Sequence, residues 1–320
     1  MAYNKAMEYD LIIIGGAPAG VSAAVYAARK RLKTLVIAEE IGGQSAVSDT
    51  IYNWIGTPEI SGSDLAKNLH SHLEYYAKDG NTLTLSLGNR ANTVSKVDGG
   101  FSVTANEKTI TAKSILVATG SRYRQLDVPG AATFEHKGIL YCATCDGPLF
   151  SGQPVAVIGG GNAAFEAVLQ LAEYTSHVTL LNRSNDFRAD PITVEKVKSL
   201  TNVTILTDVT LTEITGTEFV GGLAYKKNSS VSSEPAVTEA LAVNAVFVEI
   251  GQLPNTELVK DVATLNEYQK IIVDPLTQRT TTLGIWAAGD CTNGLYHQNN
   301  IAAGDAVKAV EDLYIWLKKA

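Results

Sequence analysis

The stretch Tyr9-Asp10-Leu11-Ile12-Ile13-Ile14-Gly15-Gly16-Ala17-Pro18-Ala19-Gly20 decides the fold. Tyr9–Ile14 is apolar and β-branched, which predicts a strand buried on both faces, as in a parallel sheet. A glycine-rich turn at 15–20 follows directly. Residues 21–30 are alanine-rich and predict a helix, and Thr34–Ala38 predicts the next strand, with Glu39 at its tip. Strand, turn, helix and strand make a βαβ unit. Residues 11–28 carry no charge, yet they read as neither a signal peptide nor a membrane span. Glu8 and Asp10 stand where a signal peptide needs positive charge. The turn also splits the stretch into halves far shorter than the ~20 residues a span requires.

The pattern recurs further on. Pro154–Ile158 predicts a strand, Gly159-Gly160-Gly161 the turn, 162–173 a helix and His177–Leu181 the next strand, followed by Asn182-Arg183. Residues 114–120, ending Ala118-Thr119-Gly120, predict a strand leading out of the first domain. Residues 247–254 predict the return crossing, and 285–290, closed by Gly289-Asp290, a last strand of the first domain. The fold class is therefore α/β, with two Rossmann-like dinucleotide-binding domains, the second inserted into the first. The expected bounds are 1–119 with 248–320, and 120–247. The polar, serine-rich residues 225–240 read as a solvated hairpin loop.

A chain of 320 residues is long enough for two domains. Its net charge of −7, with no long run of one sign, argues against nucleic acid or an anionic membrane as partner. Its three cysteines are too few for a disulfide-stapled secreted protein, so a cytoplasmic setting is expected. Two of them form Cys142-Ala143-Thr144-Cys145, with Asp146 next. A zinc site there would need two more ligands, and only His136 lies close in sequence, so no metal is expected. The spacing instead fits a redox pair, in which one thiolate attacks a disulfide and the second resolves the mixed disulfide. Asp146 would serve as acid/base for the thiols. Cys291, without a sequence neighbour, reads as a small buried residue.

The first turn follows Gly15-x-Ala17-x-x-Gly20. Its glycines permit a tight turn, and the following helix offers amide groups and a positive dipole end to a pyrophosphate. Gly16, Pro18 and Ala19 complete it, and Ala17 stands where a glycine is usual. Glu39 lies about where an acid binds a ribose hydroxyl. The second turn runs Gly159-x-Gly161-Asn162-Ala163-Ala164, and Asn182-Arg183 at the next strand tip carries no acid. Arg183, with Arg188 close by, suits a 2′-phosphate, which points to NADP; as solvated surface charges both would be silent on the cofactor.

Taken together, these elements resemble the low-molecular-weight thioredoxin reductases and the catalytic core of the alkyl hydroperoxide reductase flavoprotein subunit. The resemblance spans nearly the whole chain. It rests on 15–20, Gly42-Gly43-Gln44, Asn53-Trp54, Ala118-Thr119-Gly120, 142–146, 159–164 and Ala288-Gly289-Asp290 with Gln298. It implies FAD at the first turn, with Gly43 and Gln44 bordering the flavin and Asn53 contacting it. Asp290 and Gln298 would bind its ribityl chain and ring. It also implies that Cys145 faces the flavin, that Cys142 meets the substrate, and that the inserted domain rotates to present each partner in turn. A homodimer and a thioredoxin-like protein disulfide as acceptor follow from the same resemblance. The flavin fingerprint begins so early that the acceptor is expected to be a separate protein.

The chain departs from that pattern in three places. Asn182-Arg183-Ser184 with Arg188 keeps only part of the usual basic cluster, and the turn reads Gly-Asn-Ala-Ala rather than Gly-Asp-Ser-Ala. His297 precedes Gln298 where Arg or Lys is usual. The first two departures leave open NADH, or a donor that is not a nicotinamide, such as a reduced flavin or ferredoxin. A dithiol oxidase using oxygen, and a flavin-binding sensor without turnover, are the remaining alternatives.

Overall fold

The computed structural model describes residues 7–48, 50–78, 80, 82–228 and 238–319. The chain forms two compact units. One holds the described residues up to Arg122 and those from Leu253 onward; the other holds Tyr123–Gln252. Elements are numbered along the chain.

The first unit is built on β1 (Tyr9–Ile14), α1 (Pro18–Arg29) and β2 (Thr34–Ala38). Leu11, Ile12 and Ile13 are fully buried, as the uninterrupted apolar run requires. Helix α2 (Gly62–Ala77) leads to β3 (Leu83–Leu87). Then come β4 (Ala91–Val97), β5 (Gly100–Ala105) and β6 (Lys108–Val117). The sheet order is β3-β2-β1-β6-β5-β4, and β17 (Ile285–Ala287) also pairs with β6. Strands β3, β2, β1, β6 and β17 are parallel, whereas β4 and β5 extend the edge antiparallel. Strand order reverses between β1 and β6, which opens a crevice at their carboxyl ends. The small side chains Ala23, Ala24 and Ala27 of α1 share a core with Ala306, Ala309 and Leu313 of the final helix α6 (Asn299–Lys319). Alanines on the facing helix let the two backbones approach closely.

The chain leaves and re-enters this unit through β7 (Ser121–Tyr123) and β16 (Gln252–Pro254), which pair as a two-stranded sheet. The second unit has a five-stranded parallel sheet, ordered β11-β10-β9-β15-β8. Its strands are β8 (Ile139–Leu140), β9 (Pro154–Ile158), β10 (His177–Leu181), β11 (Val203–Leu206) and β15 (Ala245–Val248). Helices α3 (Ala143–Asp146), α4 (Asn162–Leu171) and α5 (Pro191–Lys198) accompany them. Here the order reverses between β9 and β15, so the same crevice rule applies to the carboxyl end of β9.

A fourth sheet corrects the reading of 225–240 as loop. β12 (Val209–Gly216), β13 (Val220–Lys227) and β14 (Thr238–Leu241) form an antiparallel meander. Tyr225 is buried, pairs with Glu239 across the ladder, and donates its hydroxyl to that carboxylate at 2.7 Å. The sheet buries one face only, so half of its positions are polar and the composition resembles a loop. Residues 229–237 of that expected loop lie outside the described residues. Smaller corrections concern element ends. α1 begins at Pro18 inside the turn, α4 stops at Leu171 rather than 173, and β6 ends at Val117, before Ala118-Thr119-Gly120.

Candidate functional site

In the first unit the glycine turn is held by backbone contact. Gly15 has φ +124°, and a Cβ there would collide with the carbonyl of Ala118; a Cβ on Gly20 would collide with the carbonyl of Gly15. The carboxyl ends of β1 and β6 are thereby pressed together, with the Ala118 amide donating to Ile14 O at 2.8 Å. Ala17 caps α1 without any side-chain hydrogen bond, although Pro18, Ala19 and Gly20 are buried. The starts of α2 and α5 are capped by side chains: Ser61 accepts from the Asp64 amide, and Asp190 from the Ile192 amide. A buried, uncapped helix start with room made by glycine fits a pyrophosphate.

Of the other expected residues, Gly42, Gly43 and Gly289 reach this turn, while Gln44, Asn53, Gln298 and Glu39 have their partners elsewhere in the same unit. Gly42 and Gly43 have φ +101° and +58°; the Gly42 amide donates to Gly16 O at 3.0 Å, and a Cβ on Gly43 would strike the methyl of Ala17. The Gln44 amide donates to the Ser121 carbonyl. Asn53 Nδ2 donates to Gln298 Oε1 at 3.0 Å, joining two residues 245 positions apart. Gly289, φ +77°, lies against Ala19 and Ala302, which sets Asp290 beside the start of α1. Glu39 is exposed and lies 3.7 Å from Arg90.

Thr119 and Gly120 are engaged by a residue that carries no motif signal. Asn255 accepts at its main-chain oxygen from the Thr119 hydroxyl at 2.6 Å, and its side-chain amide donates to Thr119 O at 3.0 Å. The Asn255 amide nitrogen donates to Gly120 O, and Arg122 donates to Asn255 Oδ1 at 2.6 Å. Asn255 thus fixes the exit from β6. Only the Pro254-Asn255 step after a predicted crossing hints at it in sequence. Cys291 is fully buried and free, its thiol donating to the carbonyls of Val117 and Ala288. Burial pushes that thiol up to about 11, which keeps it protonated and unreactive.

In the second unit Cys142 and Cys145 are joined as a disulfide, with Cα atoms 5.3 Å apart. Cys142 is the N-cap of α3, and its Sγ accepts from the Cys145 amide at 3.2 Å. Both cysteines and Asp146 are half-buried, and the Asp146 amide donates to Cys142 O at 3.0 Å. Helix α4 supports the redox turn, since Thr144 Oγ donates to Gln170 Oε1 at 3.0 Å. Tyr141, just before the pair, stacks on Tyr123 at 4.7 Å and donates to Glu135 at 3.0 Å. Burial first and the Glu135 bond second hold its phenol protonated.

The second glycine turn differs in detail. A Cβ on Gly159 would meet the Glu249 carbonyl, and one on Gly160 would occupy the place of the Asn182 side chain. Gly161 has open space on that side and caps α4 without a side-chain bond. Asn182 is buried beneath the turn and donates to the carbonyls of Ser184 at 2.8 Å and Asp186 at 3.1 Å. The Arg188 amide donates to Gly160 O at 2.8 Å, and Asn162 Oδ1 accepts from the Asp190 amide at 2.7 Å. The loop carrying Arg183 and Arg188 is therefore anchored to the turn, and both arginines are exposed, as is Ala163. Glu249, at the end of β15, has its carboxyl pushed up to about 8 by burial, with the Glu166 charge adding to the shift.

Two nucleotide-type turns and a half-exposed redox disulfide define a class of pyridine-nucleotide-linked disulfide enzymes. The chain belongs to the pyridine nucleotide-disulphide oxidoreductase family, whose model matches residues 9–306. It is 38% identical over 318 residues to the F component of alkyl hydroperoxide reductase from Staphylococcus aureus (strain MSSA476), covering 98% of this chain and 60% of that protein. It is also 38% identical over 309 residues to a protein named NADH dehydrogenase from Bacillus subtilis (strain 168), covering 97% of this chain and 58% of that one. The chain thus spans about 60% of the length of the curated relatives it matches. Among solved structures, thioredoxin reductase from Streptococcus pyogenes MGAS5005 superimposes with a TM-score of 0.88 at 30% identity, covering 98% of this chain and 99% of the other. Among the described residues, no helix is long and apolar enough to cross a membrane.

Proposed function

We propose that the chain is an FAD-dependent thioredoxin-disulfide reductase, drawing electrons from NAD(P)H and passing them through Cys142 and Cys145 to a thioredoxin-like protein disulfide. The observation that carries this reading is the half-exposed Cys142–Cys145 disulfide at a helix start. Residues 15–20, with Gly42, Gly43, Gln44, Asn53, Ala118, Thr119, Gly120, Gly289, Asp290 and Gln298, would hold FAD. When bound, FAD stores two electrons and delivers them to a disulfide. Gly159, Gly161, Asn162 and Ala163 would receive the nicotinamide pyrophosphate, and Arg183 and Arg188 would pair with a 2′-phosphate.

The chemistry assigned to the protein's own groups is thiol–disulfide exchange. The Cys142 thiolate attacks one sulfur of the partner's disulfide, and the S–S bond breaks toward the other partner sulfur. The Cys145 thiolate then attacks Cys142 Sγ in the mixed disulfide. That step restores the Cys142–Cys145 bond and releases the partner as a dithiol. Two electrons leave the pair, and the two partner thiolates take up two protons, one of them by way of Asp146. The domain bounds, a homodimer and a cytoplasmic setting belong to the same proposal.

Purified protein should carry stoichiometric FAD and turn over a thioredoxin disulfide anaerobically with a nicotinamide donor. Cys145→Ser should abolish that turnover while the donor still bleaches the flavin, because only the onward step needs the resolving thiolate. Equal loss of both half-reactions in folded, FAD-loaded protein would overturn the assignment.

One observation favours a second reading of the donor. Asn182, at the strand tip where an acid or a base would meet a ribose, is buried and spent on its own loop. The same disulfide chemistry fed by a non-nicotinamide donor follows if neither nucleotide bleaches the flavin while a chemical reductant does. If NADPH does serve, Arg183→Ala should raise its Michaelis constant about ten- to a hundredfold and leave NADH nearly unchanged, a charge-assisted phosphate contact being worth roughly 1.5–3 kcal/mol.

A further inference from the structure

Three side chains from separate parts of the first unit meet around Asp290. His297 Nδ1 lies 3.5 Å from Asp290 Oδ1. Lys270 Nζ lies 2.7 Å from His297 Nε2. All three residues are half-buried. An ammonium group only donates, so His297 must accept at Nε2. The remaining ring proton of neutral His297 then sits on Nδ1, facing the carboxylate.

The backbone delivers Lys270 to this place. Its amide and that of Tyr268 both donate to Asn266 Oδ1, at 2.9 and 3.0 Å. The next amide, of Ile271, donates to Cys291 O at 2.9 Å, directly beside Asp290. The groups facing the ammonium are His297, the Asp290 carboxylate and the protonated Cys291 thiol. Burial makes Lys270 easier to deprotonate, and the Asp290 charge partly opposes that.

We propose that Lys270 is a positioning residue for the carboxylate that receives FAD: it fixes His297 in the Nδ1–H tautomer, and His297 in turn fixes Asp290. This rests on the reading of the first turn as the FAD site. Lys270 is not among the residues assigned to FAD. It acts through one hydrogen bond on a ring and through that ring on a carboxylate, so its removal should loosen Asp290 without removing any FAD ligand.

The test uses the full chain stripped of flavin, as wild type, Lys270→Met and Lys270→Arg. FAD is titrated in and its fluorescence followed, and the His297 tautomer is read by nitrogen NMR, with His297→Gln to assign the signal. Lys270→Met should raise the FAD dissociation constant about tenfold, the scale of one charge-assisted hydrogen bond, and should give a mixed tautomer. Lys270→Arg should restore both. Wild-type affinity should also fall at alkaline pH as Lys270 loses its proton, and Lys270→Met should lack that slope. Unchanged FAD affinity in Lys270→Met, or a His297 tautomer that does not respond, overturns the proposal and leaves the FAD reading intact. If Lys270→Met does not fold, the wild-type pH profile decides, and a flat alkaline profile overturns it. Failure of wild type to take up FAD overturns the site reading, and this inference with it.

Discussion

The first glycine turn is packed by the protein's own backbone, whereas the second leaves one glycine facing open space. At the first, Gly15 and Gly20 are required by the carbonyls of Ala118 and Gly15, and the methyl of Ala17 rests against Gly43. At the second, Gly159 and Gly160 are required by Glu249 and Asn182, but no described atom of the chain, its immediate neighbours aside, lies within 4 Å of where a Cβ on Gly161 would stand. The two turns look alike in sequence, yet they constrain the chain differently. One is a structural joint. The other leaves a backbone at the helix start that the surrounding protein does not cover, which would admit a ligand's close approach.

Gly15→Ala should break the comparison on the first side with the largest effect. Its φ of +124° is nearly closed to residues with a Cβ, and the collision is with backbone that cannot swing away. Strain of ~1–3 kcal/mol and an overpacking cost of similar size should lower stability by about 3 kcal/mol or more. Urea unfolding of the flavin-free protein measures this independently of any cofactor. A loss below ~1 kcal/mol would mean the turn relaxes more easily than its packing suggests.

Much of this architecture is legible in the sequence for a physical reason. Leu11 to Ile14, Val155 to Val157 and Val178 to Leu181 are runs buried on both faces, so their apolar content survives without any periodicity to decode. The meander is the opposite case. Ile214 and Leu223 pair across the ladder and are buried, as is Tyr225, while Glu213, Thr215 and Lys226 beside them in the chain are exposed, and the alternation dissolves into a polar, serine-rich background. The site divides along the same line. Glycines and the CxxC pair announce themselves because their chemistry is local. Asn255 and Lys270 make contacts with residues 136 and 27 positions away, and beyond Pro254 before the first nothing beside them in sequence marks them.

Glu249 offers a sharper and smaller contrast between the turns. Its carboxyl is pushed from an ordinary value near 4.5 up to about 8, by burial and then by Glu166. A raised carboxyl means the folded chain holds a proton that the unfolded chain has released. Its contribution to stability is complete below about 4.5 and is lost as pH rises through about 8. Glu249→Gln should therefore flatten the decline in stability across that window, with little change at the acid end. Parallel pH profiles for wild type and variant would show that the Glu249 carboxyl is solvated in the folded chain.

Gly161→Ala should have the smallest effect on the fold and the most to say about function. The position has φ −104°, which alanine adopts without strain, and open space stands where the methyl would go. Alanine is a poorer N-cap than glycine, but it also narrows the unfolded ensemble, and the two effects oppose each other at about 0.5–1 kcal/mol each. Thermal unfolding should thus be nearly unchanged. Binding is a different matter if a pyrophosphate settles on the amides at the start of α4, because the methyl would stand between them. Forcing one extra carbon into a close contact typically costs ~1–3 kcal/mol, or roughly five- to a hundredfold in nicotinamide affinity. Calorimetric titration of the folded variant with NADPH and NADH measures that loss directly. An undiminished affinity would mean that Gly161 is bare for no ligand. The second turn would then be a structural joint like the first, and the weight of the donor question would shift to the non-nicotinamide reading, with the Cys142–Cys145 chemistry untouched.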